Sequence, residues 1–149
     1  ETPGHTKGHI SVHFPGGDAL FAGDTLFVLG CGRMFEGQPG QFWASLSRIK
    51  ALPSETLLYC AHEYTQSNCI FALAVEPGNP ALVKRAGEVA ALRASGRITL
   101  PSTLAQELST NPFMRTRVDA VVDAARKLDP QARAGETTMA VIRAWKDRF

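Results

Sequence analysis

His5-Thr6-Lys7-Gly8-His9-Ile10-Ser11-Val12-His13-Phe14, then Pro15-Gly16-Gly17-Asp18, then Ala19-Leu20-Phe21-Ala22-Gly23-Asp24 form the stretch that decides the fold. Two short apolar runs, Ile10–Phe14 and Ala19–Ala22, flank a Pro-Gly-Gly-Asp turn, which is the pattern of two strands joined by a tight turn. A histidine precedes the first run, and an aspartate follows the second after a glycine. Further on, Leu26–Leu29 and Thr56–Cys60 read as strands, and His62 directly follows the latter. His5, Asp24 and His62 thus all fall at strand ends beside loops. There a sheet fixes the backbone while the loop leaves the side chain open, which suits catalytic or ligating groups.

Between these strands Phe42, Leu46 and Ile49 recur at helical spacing until Pro53 stops the run. The sequence after residue 65 changes texture. Asn79-Pro80 starts a helix with Leu82, Val83, Ala86, Val89 and Ala90 on one face, and Gly96 ends it. Val118, Val121, Val122, Ala125 and Leu128 form a second helical face, stopped by Pro130. A last helix from about Thr138 turns Met139, Ile142 and Trp145 inward. The fold class is therefore mixed α/β (α+β): residues 1–70 as a sheet-bearing part and residues 71–149 as a helical domain.

Charge divides at nearly the same place. Residues 1–64 carry four basic and six acidic residues, a net of −2, and the remaining twelve basic and eight acidic residues give the rest a net of +4. The whole chain of 149 residues has a formal charge of +2, too mild for a nucleic-acid or membrane-surface binder. No apolar run reaches the roughly 18–20 residues of a membrane span. Three cysteines without a CxxC pair exclude a disulfide framework, so a reducing, cytoplasmic setting is expected. Cys31 and Cys60 read as small apolar fillers.

Two imidazoles and a carboxylate suit zinc, iron or manganese, and a carboxylate can bridge two ions. The same three residues could instead be a hydrogen-bonded histidine pair and a turn aspartate. His9 and His13, alternating with Ser11 along the first strand, read as structural.

The residues around these positions carry a resemblance. Thr2-Pro3-Gly4-His5-Thr6-Lys7-Gly8-His9, Phe21-Ala22-Gly23-Asp24-Thr25 and His62-Glu63-Tyr64-Thr65 resemble the metallo-β-lactamase fold. Gly30-Cys31-Gly32-Arg33-Met34-Phe35-Glu36-Gly37, Tyr59-Cys60-Ala61-His62-Glu63-Tyr64-Thr65-Gln66-Ser67-Asn68 and Ser109-Thr110-Asn111-Pro112-Phe113-Met114-Arg115 are similar to one branch of it, the glyoxalase II (hydroxyacylglutathione hydrolase) family. The resemblance implies the C-terminal half of an αββα sandwich followed by a helical substrate-binding domain. It implies that His5 and His62 each bind one of two divalent ions, zinc first and iron or manganese as alternatives, with Asp24 as the catalytic bridging ligand. It further implies that Arg33, Phe35, Tyr64, Arg143 and Lys146 contact glutathione. Phe35 lacks the hydroxyl that a tyrosine would offer there. Arg143 and Lys146, three residues apart, are expected to project from one helix face opposite Met139, Ile142 and Trp145.

The activity so implied is hydrolysis of S-(2-hydroxyacyl)glutathione, such as S-lactoylglutathione, in detoxification of methylglyoxal. Two alternatives stand beside it: a mono-iron persulfide dioxygenase and a non-catalytic glutathione-binding fragment. The Thr-His-x-His-x-Asp-His motif that supplies the family's other ligands does not occur in this sequence. The three ligands present are expected to hold at most a single ion weakly. Completing the site, and covering an open apolar sheet face, is expected to require an upstream N-terminal segment or another chain.

Overall fold

The computed structural model describes residues 1–149. Strand β1 (Val12–Phe14) runs antiparallel to β2 (Ala19–Gly23), β2 runs parallel to β5 (Leu57–Cys60), and β5 runs antiparallel to β6 (Ser102–Thr103). The sheet order is β1-β2-β5-β6. The parallel pair needs a crossover, and helix α1 (Pro39–Lys50) provides it. The helix starts at a reciprocal cap between Gln38 and Gln41 and buries Phe42, Ser45, Leu46 and Ile49. It therefore turns inward the face that its apolar spacing predicts.

Alternation along the strands gives the sheet two unlike faces. Leu20, Ala22 and Leu58 join Phe42, Leu46 and Ile49 in the core. The other face carries Val12, Phe14 and Phe21, all exposed. There the Phe21 ring stacks on Tyr59 at 5.1 Å and meets Phe14 edge-on at 5.9 Å. An open aromatic ladder of this kind is a surface other protein can cover.

Several elements differ from the sequence reading. The first strand covers only Val12–Phe14, and Pro15–Gly17 forms a single 3-10 turn closed by Asp18 in the left-handed region. Leu26–Leu29 is not one strand. Leu26–Phe27 (β3) folds back on Gly30–Cys31 (β4) through Val28 and Leu29, with Leu29 at φ +59°. Side chains from the helical part hold this small hairpin. Glu107 accepts from the Leu29 amide at 2.8 Å, Asn68 Nδ2 donates to the Val28 carbonyl at 3.0 Å, and Asn111 Nδ2 donates to the carbonyls of Phe27 and Gly30 at 3.1 and 3.0 Å.

The helical part contains two helices the periodicity does not reveal. Helix α2 (Thr65–Val75) buries Thr65, Asn68, Cys69, Phe71, Ala72 and Val75, so its apolar residues surround it too broadly to give a stripe. Helix α4 (Leu104–Thr110) is two turns long, too short for a period, although the Thr103–Gln106 capping box marks its start. Helix α3 (Pro80–Ala94) begins where Asn79 accepts from the amides of Ala81 and Leu82. It buries Leu82, Arg85 and Val89 and leaves Val83 and Ala90 outside, a correction to the expected face. Helix α5 (Asp119–Arg126) buries Val121, Val122, Ala124 and Ala125, with Leu128 exposed beyond its end.

Helix α6 (Glu136–Arg148) buries Met139, Ile142 and also Arg143. The expected opposition between the cations and the apolar set is therefore wrong. Residues four and seven apart share a helix face, so Arg143 and Lys146 lie on the same side as Met139.

Candidate functional site

Asp24 and His62, past the ends of strands, meet His5 in space, although His5 lies in a loop well before β1 and not at a strand end as expected. Asp24 follows β2, His62 follows the neighbouring parallel strand β5, and the His5 loop lies beside them. Asp24 Oδ2 is 3.7 Å from His5 Nε2, and Asp24 Oδ1 is 3.3 Å from His62 Nε2. One carboxylate thus stands between two imidazoles, one oxygen toward each.

Each member is held from behind. His5 Nδ1 lies 2.8 Å from the Arg33 carbonyl, which can only accept, so Nδ1 carries the proton and Nε2 keeps its lone pair toward Asp24. The Asp24 amide donates to His9 Nε2 at 3.0 Å. Burial and the nearby His5 charge lower the His9 pKa against the opposing pull of Asp24. The His62 ring stacks on Tyr64 with centroids 4.9 Å apart and tilts against Phe27 at 6.0 Å. Glu63, next in sequence, points away and accepts from the Thr99 amide and hydroxyl at 3.0 and 2.6 Å. Burial raises its pKa, but these bonds outweigh burial and leave it below the ordinary carboxylate range. Gly32 permits the close approach of the next loop, since a side chain there would collide with the Asp24 carbonyl.

These residues open onto a cavity of about 420 Å³ lined by His5, Asp24, Arg33, Phe35, His62 and Tyr64. A second cavity of about 310 Å³ adjoins it, sharing Phe27, Arg33 and Tyr64 and adding Arg143 and Lys146. The fold thus gathers all eight residues singled out in the sequence around two neighbouring cavities. Phe35 is 67% exposed at the rim and meets the His5 ring edge-on at 5.1 Å.

The cationic end is more structured than a solvated basic face. Arg143 is 3% exposed; its Nη1 donates to the Cys31 carbonyl at 2.9 Å, and its guanidinium lies 5.4 Å from the Phe113 ring. Lys146 Nζ sits 5.0 Å from the Phe71 ring centre, and burial, with the charge of Arg143, pushes its pKa down to about 8. Asp147, which the sequence reading did not single out, accepts from Arg33 Nε at 3.0 Å and from Arg143 Nη2 at 3.1 Å. Its place four residues after Arg143 on one helix, the spacing of an ion pair, was the available signal.

The chemistry of the donor set, two imidazoles flanking one carboxylate, fits divalent cations. No three histidine, cysteine, aspartate or glutamate side chains converge tightly enough to enclose one ion. His5 and His62 face different oxygens of Asp24, which fits one ion per histidine with Asp24 between them.

Known families match the chain along its whole length. The family described as hydroxyacylglutathione hydrolase C-terminus matches residues 63–149, and the metallo-beta-lactamase superfamily matches residues 1–62. A hydroxyacylglutathione hydrolase of Fuscovulum blasticum is 50% identical over 149 residues, covering 100% of this chain and 57% of its own length. Another, of Pseudomonas aeruginosa, is 54% identical over 149 residues, covering 99% of this chain and 58% of its own. The chain thus spans a little under three fifths of these relatives. Among solved structures, ETHE1 from Myxococcus xanthus is 28% identical with a TM-score of 0.50, covering 97% of this chain and 51% of that one. A metallo-beta-lactamase from Staphylococcus aureus is 23% identical with a TM-score of 0.53, covering 96% and 36%, a likeness of fold alone. No helix is long and apolar enough to cross a membrane.

Proposed function

Because the chain belongs to the hydroxyacylglutathione hydrolase (glyoxalase II) family of the metallo-β-lactamase superfamily, we propose that it serves hydrolysis of S-(2-hydroxyacyl)glutathione. S-Lactoylglutathione would yield glutathione and lactate. The observation that carries this reading is the adjacency of the two cavities: a carboxylate between two imidazoles opens beside a pocket bearing Arg33, Tyr64, Arg143 and Lys146.

His5 and His62 would each hold one ion, zinc first, with Asp24 shared between them. Ions at such a site supply Lewis acidity and lower the pKa of water, giving a nucleophile at neutral pH. The other tasks fall to the chain. The Arg33 carbonyl fixes the His5 tautomer, so the loop that would contact glutathione also orients a ligand. Tyr64 steadies His62 by stacking and lines both cavities. Lys146 offers a point charge to a glutathione carboxylate. Arg143, already bonded to the Cys31 carbonyl and Asp147, anchors the loop and lends charge beneath the pocket. The departing glutathione thiolate, from a thiol of ordinary pKa about 8.5, leaves without a dedicated proton donor. The three-residue ligand set and the open aromatic sheet face both support a further protein segment, in the same polypeptide or another chain, completing the site.

The test pairs binding with chemistry. S-Lactoylglutathione titrated into the chain in a calorimeter is expected to bind, and Lys146→Ala to weaken binding at least about tenfold, the loss of one charge-assisted contact. Thioester hydrolysis by the metal-loaded protein with its site completed by that further segment is expected to disappear in Asp24→Asn. Undiminished binding in the Lys146 variant would sink the substrate assignment.

A further inference from the structure

His9 is bound at both ends of its ring. Nε2 accepts the Asp24 amide at 3.0 Å, while Nδ1 lies 2.9 Å from Thr25 Oγ1 and 3.1 Å from Thr2 Oγ1. A nitrogen that accepts carries no proton, so the ring is the neutral, Nδ1-protonated imidazole, donating to a threonine hydroxyl. Those hydroxyls are themselves fixed. Thr25 is fully buried and donates to the Thr2 carbonyl at 3.3 Å, and Thr2 Oγ1 lies 2.9 Å from Ser11 Oγ. The ring also occupies the space behind Gly23, where a side chain would strike Nε2 and where φ is +53°. It meets the His5 ring edge-on at 6.1 Å.

We infer that His9 is a positioning residue for Asp24, pinning its backbone amide so that the carboxylate stands between His5 and His62. The inference rests on the proposed ligand role of Asp24. An aspartate has only two side-chain torsions, so its oxygens are placed by where its backbone sits. Asp24 follows a left-handed glycine at the end of β2, outside the regular ladder, and His9 supplies the acceptor its amide would otherwise lack. Held this way, one oxygen meets His62 at 3.3 Å and the other faces His5 at 3.7 Å. Groups behind metal ligands typically change metal affinity by about 10–100-fold when removed.

The experiment uses the full chain, with His9→Ala, His9→Gln and a His5→Ala control. Two readouts are taken: amide hydrogen exchange at Asp24 without metal, and zinc affinity by competition with a chromophoric chelator. His9→Ala is expected to speed Asp24 exchange and weaken zinc at least tenfold. His9→Gln, whose carbonyl reaches the Nε2 position, is expected to restore both to within about threefold. If His9→Ala folds poorly, His9→Asn, whose amide stops short of Nε2, makes the same comparison. Zinc binding that His9→Ala leaves within twofold overturns the inference and spares the metal reading. If wild-type chain shows no zinc binding sensitive to His5→Ala, the metal reading fails. Asp24 exchange then decides the positioning alone: unchanged exchange in His9→Ala overturns it, and faster exchange rescued by glutamine upholds it.

Discussion

Glu107→Ala is expected to be the most destabilising single substitution outside the aliphatic core. The carboxylate is fully buried and reaches from α4 to the β3–β4 hairpin that links Asp24 to Arg33. It accepts from the Leu29 amide at 2.8 Å, from Asn111 Nδ2 at 2.9 Å and from Ser102 Oγ at 2.7 Å. Alanine leaves the Leu29 amide buried without a partner, which costs about 1–3 kcal/mol. Asn111 keeps its bonds to the Phe27 and Gly30 carbonyls and Ser102 its contact with Gln106, so those two losses are about 1 kcal/mol each. Together these losses come to roughly 3–5 kcal/mol, before any further cost of the cavity left by the missing side chain. That is a large share of an ordinary domain's stability of about 5–15 kcal/mol.

Urea unfolding followed through Trp43 and Trp145 fluorescence measures it. Burial, the largest influence, pushes the Glu107 carboxyl above the ordinary carboxylate range, against the pull of Ser102, Leu29 and Asn111. The folded chain then holds this proton to higher pH than the unfolded chain. The stability from this group is full below the unfolded pKa and falls as pH rises through the folded one. Glu107→Gln should remove that slope and cost less than alanine. An alanine variant within 1 kcal/mol of wild type would refute the clamp.

Three further outcomes follow from the site and the sheet. Lys146, with a pKa of about 8, should lose most of its charge between pH 7 and pH 9, so affinity for S-methylglutathione should fall by up to about tenfold. Calorimetry across that range checks it, and Lys146→Arg should flatten the profile. Gly32→Ala should force the loop away from the Asp24 carbonyl. The expected cost is about 1–3 kcal/mol in thermal unfolding, together with weaker zinc binding. Phe21→Lys, on the exposed aromatic ladder, should reduce self-association in light scattering and leave the unfolding midpoint nearly unchanged, because the ring is not in the core.

His5, expected at a strand end, sits in a loop well before β1. Legible in the sequence by itself were the class of fold, the strand-end positions of Asp24 and His62, and the start of α3 at Asn79-Pro80. These are local matters: alternation, caps and glycine or proline breaks act within a few residues. It also contained the family's motifs, which short spacings preserve. Two helices stayed hidden, α2 because apolar Ile70 and Ala74 stand on its exposed side while polar Thr65 and Asn68 are buried, and α4 because it is too brief to show a period.

Which polar groups serve others emerges from the packing of distant segments. No local spacing showed that Glu107, Asn111 and Asn68 would brace the hairpin of Leu26–Cys31 with hydrogen bonds to its backbone. His9 reads as one more strand residue, yet its ring holds the backbone of Asp24. Arg143, expected to face outward, is buried and bonded to a carbonyl 112 residues away in sequence. Such contacts join residues far apart in the chain, and no local pattern encodes them. A buried amide or carbonyl must be paired by whatever side chain the fold brings within about 3 Å.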